Sequence, residues 1–167
     1  AWTWRIVTAW LVGTALIGET SRHSMRELKR TAIVNRAPAE IYRLVNDIAS
    51  YPSFVPGCTA AQVLSQDENS IVARLAVRKG PLSTQFTTRN TLTPDRAVHM
   101  QLVEGPFRAL EGEWQFRPVG AGGCEIELQL RYEFSTPLKA VLLEPLLKET
   151  ADQLVQAFIR RSRQPDA

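Results

Sequence analysis

EIELQLRYEF (125–134) and, two residues later, PLKAVLLEPLLKETADQLVQAFIRRSR (137–163) decide the fold. In the first stretch Ile126, Leu128, Leu130, Tyr132 and Phe134 alternate with Glu125, Glu127, Gln129, Arg131 and Glu133. A period of two with one apolar and one charged series is a strand with one face in water. In the second stretch the period turns helical from about Leu138 to Arg163, with Leu142, Leu146, Leu147, Ala151, Leu154, Val155 and Phe158 as the apolar stripe. At 1.5 Å per residue such a helix reaches about 39 Å, enough to cross a whole sheet. Pro145 kinks it or delays its regular start, and Arg160, Arg161 and Arg163 suit the negative pole of its dipole. The apolar strand face and the helix stripe must bury each other, which predicts an α+β protein with a helix gripped by a sheet.

Working back from this pair, the same alternation sets Leu110, Gly112, Trp114 and Phe116 against Glu111, Glu113, Gln115 and Arg117. It also sets Ile71, Ala73, Leu75 and Val77 against Arg74 and Arg78. Strands are predicted near 59–66, 70–79, 83–93, 96–104, 108–119 and 123–134. Turn signals at Asp67-Glu68-Asn69, Lys79-Gly80-Pro81, Pro94-Asp95 and Gly120-Ala121-Gly122-Gly123 separate them into an antiparallel meander. Leu28 to Asn35 is a further short strand. Pro38 then opens a helix carrying Ile41, Leu44, Val45 and Ile48. YPSFVPG (51–57) is expected to break that helix twice, giving two short helices after the first strand. The whole is a curved sheet of about seven strands around a long C-terminal helix.

The chain has 167 residues and 18.7 kDa, with 44% hydrophobic and 22% charged residues. That balance excludes a disordered tail, a coiled-coil rod and a collagen repeat, and it fits one domain. A formal charge of +3 and a pI of about 9.1 are too mild to mark a DNA-binding protein. Cys58 and Cys124 form no CxxC or Cys/His set, and His23 and His99 are the only histidines, so no metal site is expected. Two thiols favour a reducing compartment or a surface facing one. Residues 1–24 stand apart. Their apolar run from Ile6 to Gly18 is shorter than the roughly 20 residues that span a bilayer, and it reads as a mis-called start, a membrane-proximal anchor or a secretory signal. The division is 1–24 as an N-terminal extension, 25–163 as the domain and 164–167 as a tail.

YPSFVPGC (51–58), GPLSTQFTTRN (80–90), EGPFRALEGEWQF (104–116) and EIELQLRYEF (125–134) resemble the START/Bet v 1-like helix-grip superfamily. Within it they resemble the polyketide cyclase-like group of coenzyme Q-binding proteins and ribosome association toxins. The resemblance runs from about Met25 to Arg163. It implies a hydrophobic cavity that binds ubiquinone or a similar polyprenyl quinone in support of respiration, with no catalytic reaction and no required cofactor. The cavity residues expected are Tyr51, Phe54, Val55, Phe86, Thr88, Asn90, Phe107, Leu110, Gly112, Trp114, Tyr132, Leu147, Leu154 and Phe158. Thr88, Asn90 and Tyr132 are the candidate polar partners of the ring, Phe107 a gate, and Gly112 a source of missing volume on the inner face.

The residues agree that no reaction is carried. Acid/base or nucleophilic catalysis needs a paired base or a positioned acid. His99 alternates with Ala97 and Gln101 and is expected to face outward, the hydroxyls of 83–91 have no activating neighbour, and Glu104 and Glu111 read as solvated carboxylates. A polyketide cyclase therefore lacks its acid and base. The toxin alternative would block joining of ribosomal subunits through a surface facing the large subunit. Arg74, Arg78, Lys79 and Arg89 are candidates for one patch and Arg160 and Arg161 for another, with Glu111, Glu113, Glu125 and Glu127 expected to interleave with them and cancel the field. The expected location is cytoplasmic, peripheral to the inner membrane, with respiratory enzymes or the membrane surface as partners.

Overall fold

A computed structural model describes residues 25–165; the extension at 1–24 lies outside the described residues. Strand β1 (Arg26–Val34) leads into helix α1 (Pro38–Asn46), a 3-10 turn (Ile48–Ser50) and short helix α2 (Tyr51–Phe54). Six strands follow, β2 (Cys58–Gln66), β3 (Ser70–Lys79), β4 (Leu82–Thr93), β5 (Ala97–Glu104), β6 (Phe107–Val119) and β7 (Gly123–Phe134), and then helix α3 (Pro137–Ser162). The sheet order is β1-β7-β6-β5-β4-β3-β2, antiparallel throughout. The meander thus runs from β2 to β7, and β1 closes it by pairing with β7 (Leu28 opposite Leu130).

The helix break differs from the sequence expectation. Asp47 (φ −82°, ψ 59°) leaves the helical region before either proline is reached. Tyr51 stays helical (φ −51°, ψ −44°), and Pro52 sits in the first turn of α2, where its missing N–H is needed by no helical bond. Only Pro56 follows a helix end.

Helix α3 starts at Thr136, whose Oγ1 accepts the Lys139 N–H at 3.1 Å. It lies across the inner sheet face and is tied from both flanks. On one side Arg26 pairs with Glu144 at 2.8 Å and Arg30 with Asp152; on the other Lys79 reaches Glu149 at 3.6 Å. The buried stripe is Leu146, Leu147, Ala151, Val155 and Phe158. Leu142 is exposed instead of belonging to it, and half-buried Leu143 takes the inner position. The core is continuous from Ile41 on α1 through Trp114, Phe116, Ile126 and Leu128 to Phe158.

Candidate functional site

The alternation that makes each strand amphipathic aims Ala73 and Leu75, Phe86, Thr88 and Asn90, Val98 and Met100, Leu110, Gly112 and Trp114, and Leu128 and Leu130 at one enclosed space beneath α3. Val45, Ile48 and Tyr51 close one end, and Leu147, Thr150, Ala151 and Leu154 form the roof. The cavity measures about 70 Å³. Its lining holds no carboxylate, imidazole, amine or thiol.

The few polar groups are almost all committed to the protein. Thr150 donates its hydroxyl to the Leu146 carbonyl at 2.8 Å, a helix-internal bond. The Tyr51 hydroxyl donates to the Val45 carbonyl, and burial holds that phenol far above its ordinary range, so it stays neutral. Thr88 donates to Asn90 Oδ1 at 2.8 Å, both side chains buried. That bond occupies the amide oxygen and leaves Asn90 Nδ2 as a donor for whatever enters.

Nine of the sequence-predicted residues meet at this cavity: Tyr51, Phe86, Thr88, Asn90, Leu110, Gly112, Trp114, Leu147 and Leu154. Five do not line it. Phe158 is wholly buried and packs its ring on Trp114 (5.4 Å), Tyr51 (5.7 Å) and Phe54 (6.0 Å), an aromatic block that closes the small-helix end. Phe54 lies on the far side of that block, under the Arg161 guanidinium at 5.4 Å, and Val55 is plain core. Phe107 stacks on Phe134 with centroids 4.8 Å apart. Tyr132, 1% exposed, lies one inward position beyond Leu130, opposite Arg26 and against Phe134, so it is removed from any ring in the cavity. Burial, and then the nearby Glu144 carboxylate, raises its pKa.

Gly112 is also corrected. A Cβ built there would meet Leu130 Cδ2 at 2.6 Å and Met100 Cε at 2.7 Å. The volume it omits is filled by those two side-chain tips, from β7 and β5. Met100, Val98 and Thr150 were missed by the sequence reading; the alternation around His99 pointed to the first two.

The outer face also differs from expectation. Arg74, Arg78 and Arg89 lie outward on β3 and β4, where Arg74 donates to Thr87 Oγ1 (3.4 Å) and Arg78 to the Gly80 carbonyl (3.0 Å). The carboxylates Glu111, Glu113, Glu125 and Glu127 lie on β6 and β7, beyond β5, and are engaged locally. Arg117 holds Glu125 (2.9 Å) and Glu127 (3.1 Å), Lys29 reaches Glu127 (3.6 Å), and outward-facing His99 lies 3.2 Å from Glu111. The β3–β4 arginines are segregated from these four carboxylates, and the acids beside them are Glu104, in register with Thr87, and Asp67, whose carboxylate feels Arg89. Lys79 leaves this patch, because the alternation after Arg78 turns it toward Glu149 on α3. Arg160 and Arg161 end α3, apart from β3 and β4.

The sequence model for "Polyketide cyclase / dehydrase and lipid transport" matches residues 34–159. The chain belongs to that family. It is 40% identical over 140 residues to the ribosome association toxin RatA of Vibrio cholerae, covering 84% of this chain and 97% of that one. A mitochondrial coenzyme Q-binding protein of Drosophila melanogaster is 27% identical over 146 residues, covering 85% of this chain and 60% of that one. The Zhui aromatase/cyclase of Streptomyces superposes with a TM-score of 0.76 at 19% identity, covering 83% of this chain and 93% of that one. The helix-grip fold expected from the sequence is therefore the START/Bet v 1-like fold of this family.

Proposed function

We propose that this chain is a non-catalytic binder of a polyprenyl quinone, ubiquinone or a close analogue, which it shields from water in support of respiratory electron transport. One observation carries the reading: an enclosed apolar cavity whose polar pair, Thr88 and Asn90, leaves one amide donor for a ring carbonyl. The relative named as a coenzyme Q-binding protein supports the ligand class. Each CH₂ buried contributes about 0.8 kcal/mol, so a few isoprene units give useful affinity. A lining without acid, base or nucleophile favours binding over the cyclisation chemistry of the aromatase neighbour. The cavity, at about 70 Å³, is well below the roughly 300 Å³ at which small-molecule sites begin. Taking up a ring therefore requires movement, and the Met100 and Leu130 tips over Gly112 are ends of flexible side chains that can supply it. No described helix is long and apolar enough to cross a membrane; the reading places the protein in the cytoplasm, peripheral to the inner membrane. Purification from a quinone-producing host, solvent extraction and mass spectrometry test it. Stoichiometric quinone is expected, and a folded protein that is empty and takes up no added quinone refutes it.

A second reading has its own observation. The relatives at 40% identity are named as ribosome association toxins, and the β3–β4 face presents Arg74, Arg78 and Arg89 apart from the carboxylates of β6 and β7. A basic patch bordered by Glu104 and Asp67 suits a phosphate-bearing partner such as the large ribosomal subunit. Overexpression should then shift sucrose-gradient profiles from joined ribosomes to free subunits, and unchanged profiles would remove this reading.

A further inference from the structure

The strand pairing leaves a slot in the sheet. On β4, residues 82–86 pair only with β3, because β5 reaches β4 no further than Glu104 opposite Thr87. On β6, Phe107–Leu110 pairs only with β7, because β5 covers β6 only from Glu111 to Gln115. Two half-edges therefore face each other across the Gly105-Pro106 connection. A register shift at Val103, where β5 carries an extra residue against β4, ends the pairing on that side.

The slot is lined in depth. Outside lies an open cleft of about 420 Å³ bordered by Arg74, Gln85, Glu104 and Lys139. Beneath it is a gap of about 10 Å³ between Phe107 on β6 and Leu143 and Leu147 on α3, no more than about one water can occupy. The apolar cavity comes next and shares Leu147 and Thr150 with that gap. Phe86 is the one residue that borders all three. Its ring meets Phe107 edge-on, with centroids 6.4 Å apart and planes at 87°. Gly105 lets it sit there, since a Cβ at 105 would lie 2.9 Å from Phe86 Cβ and 3.4 Å from Phe107 Cδ2. Phe86 is half-buried, whereas Phe107 is held by Phe134.

We infer that the grip is filled sideways, through this slot between β4 and the β5–β6 connection, with Phe86 as the gate and the ligand's tail left lying in the slot. The inference deepens the reading that the cavity takes an apolar ligand. The flat head passes Phe86 and reaches Asn90. The tail follows the Phe86, Phe107 and Leu143 channel and emerges beside Lys139, next to which Leu138 (67% exposed) and, one turn on, Leu142 (45%) offer apolar surface.

The test uses the full chain with Trp2, Trp4 and Trp10 changed to Phe, so that cavity-lining Trp114 is the sole tryptophan. Stopped-flow quenching by decylubiquinone and uptake of the neutral dye N-phenyl-1-naphthylamine are measured in this background. They are repeated with Phe86→Ala, with Gly105→Ala, which presses on Phe86, and with Phe54→Ala at the opposite end. Opening a gate speeds entry and exit together, so Phe86→Ala is expected to raise both rates about tenfold or more with much less change in Kd. Gly105→Ala should alter both rates in the same direction as each other, and Phe54→Ala should alter neither. Faster exchange in Phe54→Ala, or a Phe86→Ala whose affinity falls at unchanged association rate, overturns the slot while leaving quinone binding in place. Dye exchange that follows Phe86 without any decylubiquinone quenching upholds the slot and removes the quinone. Uptake of neither probe by the parent protein overturns both.

Discussion

Thr88 and Asn90 are the polar interruption on an otherwise apolar inner face, and a double-mutant cycle on them separates stability from binding. Thr88 donates to Asn90 Oδ1 at 2.8 Å, and both residues are buried. Thr88→Val keeps the shape but strands the Asn90 oxygen, and a buried polar group without its partner costs about 1–3 kcal/mol. Asn90→Leu strands the Thr88 hydroxyl at a similar cost, partly offset by the apolar surface gained beside the cavity. The double variant leaves neither group stranded and should be nearly neutral or stabilising. The two single losses therefore fail to add, by an amount close to their sum, about 2–6 kcal/mol less the apolar offset at position 90. Urea unfolding at constant m-value measures this directly, and in thermal melts each kcal/mol appears as about 2–4 °C. Quinone affinity should move the other way, since both variants lacking Asn90 have lost the Nδ2 donor while Thr88→Val keeps it. Additive stability changes would refute the coupled pair, and full quinone affinity in the double variant would refute Asn90 as the ring's partner.

Three further outcomes follow from named contacts. Phe158→Ala removes a wholly buried ring from between Tyr51 and Trp114 and should cost about 3–5 kcal/mol in chemical denaturation. Arg74, Arg78 and Arg89 replaced together by Glu should leave the protein folded, with a loss of about 1 kcal/mol at half-buried Arg74, whose guanidinium gives up its bond to buried Thr87. In the ribosome reading the same triple change abolishes the gradient shift. Asp67 accepts backbone N–H bonds from Asn69 and Ser70, each 2.8 Å, which lower its pKa first, with the Ser70 hydroxyl and Arg89 assisting. A depressed carboxylate stabilises the fold above its unfolded pKa and loses that contribution as pH falls through the folded one. The stability difference between parent and Asp67→Ala should accordingly be constant near neutrality and vanish in acid; a difference unchanged by acid would refute the turn's dependence on the charge.

The architecture was legible because alternation is local. EIELQLRYEF announces its inner and outer series without reference to any other strand, and the strand limits expected from such patterns agree with the observed ones to within two residues. Depth along a strand is not local. Tyr132 and Leu130 share the inner series, but only the passage of α3 and the pairing of β7 with β1 decide that Leu130 meets the cavity and Tyr132 does not. Gly112 shows the same limit, since its inward place was readable but the methyls of Met100 and Leu130 that fill it come from two other strands. Asp47, not Tyr51, ends α1, because a proline in a first turn is compatible with a helix and the sequence pattern does not say which turn it occupies. Charge segregation needed the strand order: 74–89 carries Arg74, Arg78, Lys79 and Arg89 with no acid, and 111–127 carries Glu111, Glu113, Glu125 and Glu127 with Arg117, but only the order puts the two on opposite sides of β5.

The two functional readings occupy opposite faces of the same strands, and β4 shows why neither excludes the other. Thr88 and Asn90 point into the cavity while Arg89, between them, points out. Arg89 is fixed by its neighbours in register, Val72 on β3 and Gln101 on β5, not by anything in the grip. Substitutions at 88 or 90 and at 89 therefore share a backbone but no side-chain partner, and a double-mutant cycle measures how far they combine additively. A ligand that fills the grip would stabilise the whole sheet by mass action, leaving the outward arginines where the strand pairing already holds them. Selection on the outer patch and selection on the inner lining can thus proceed separately on one scaffold. Relatives named for a ribosome and for a quinone are what a sheet with two independent faces permits.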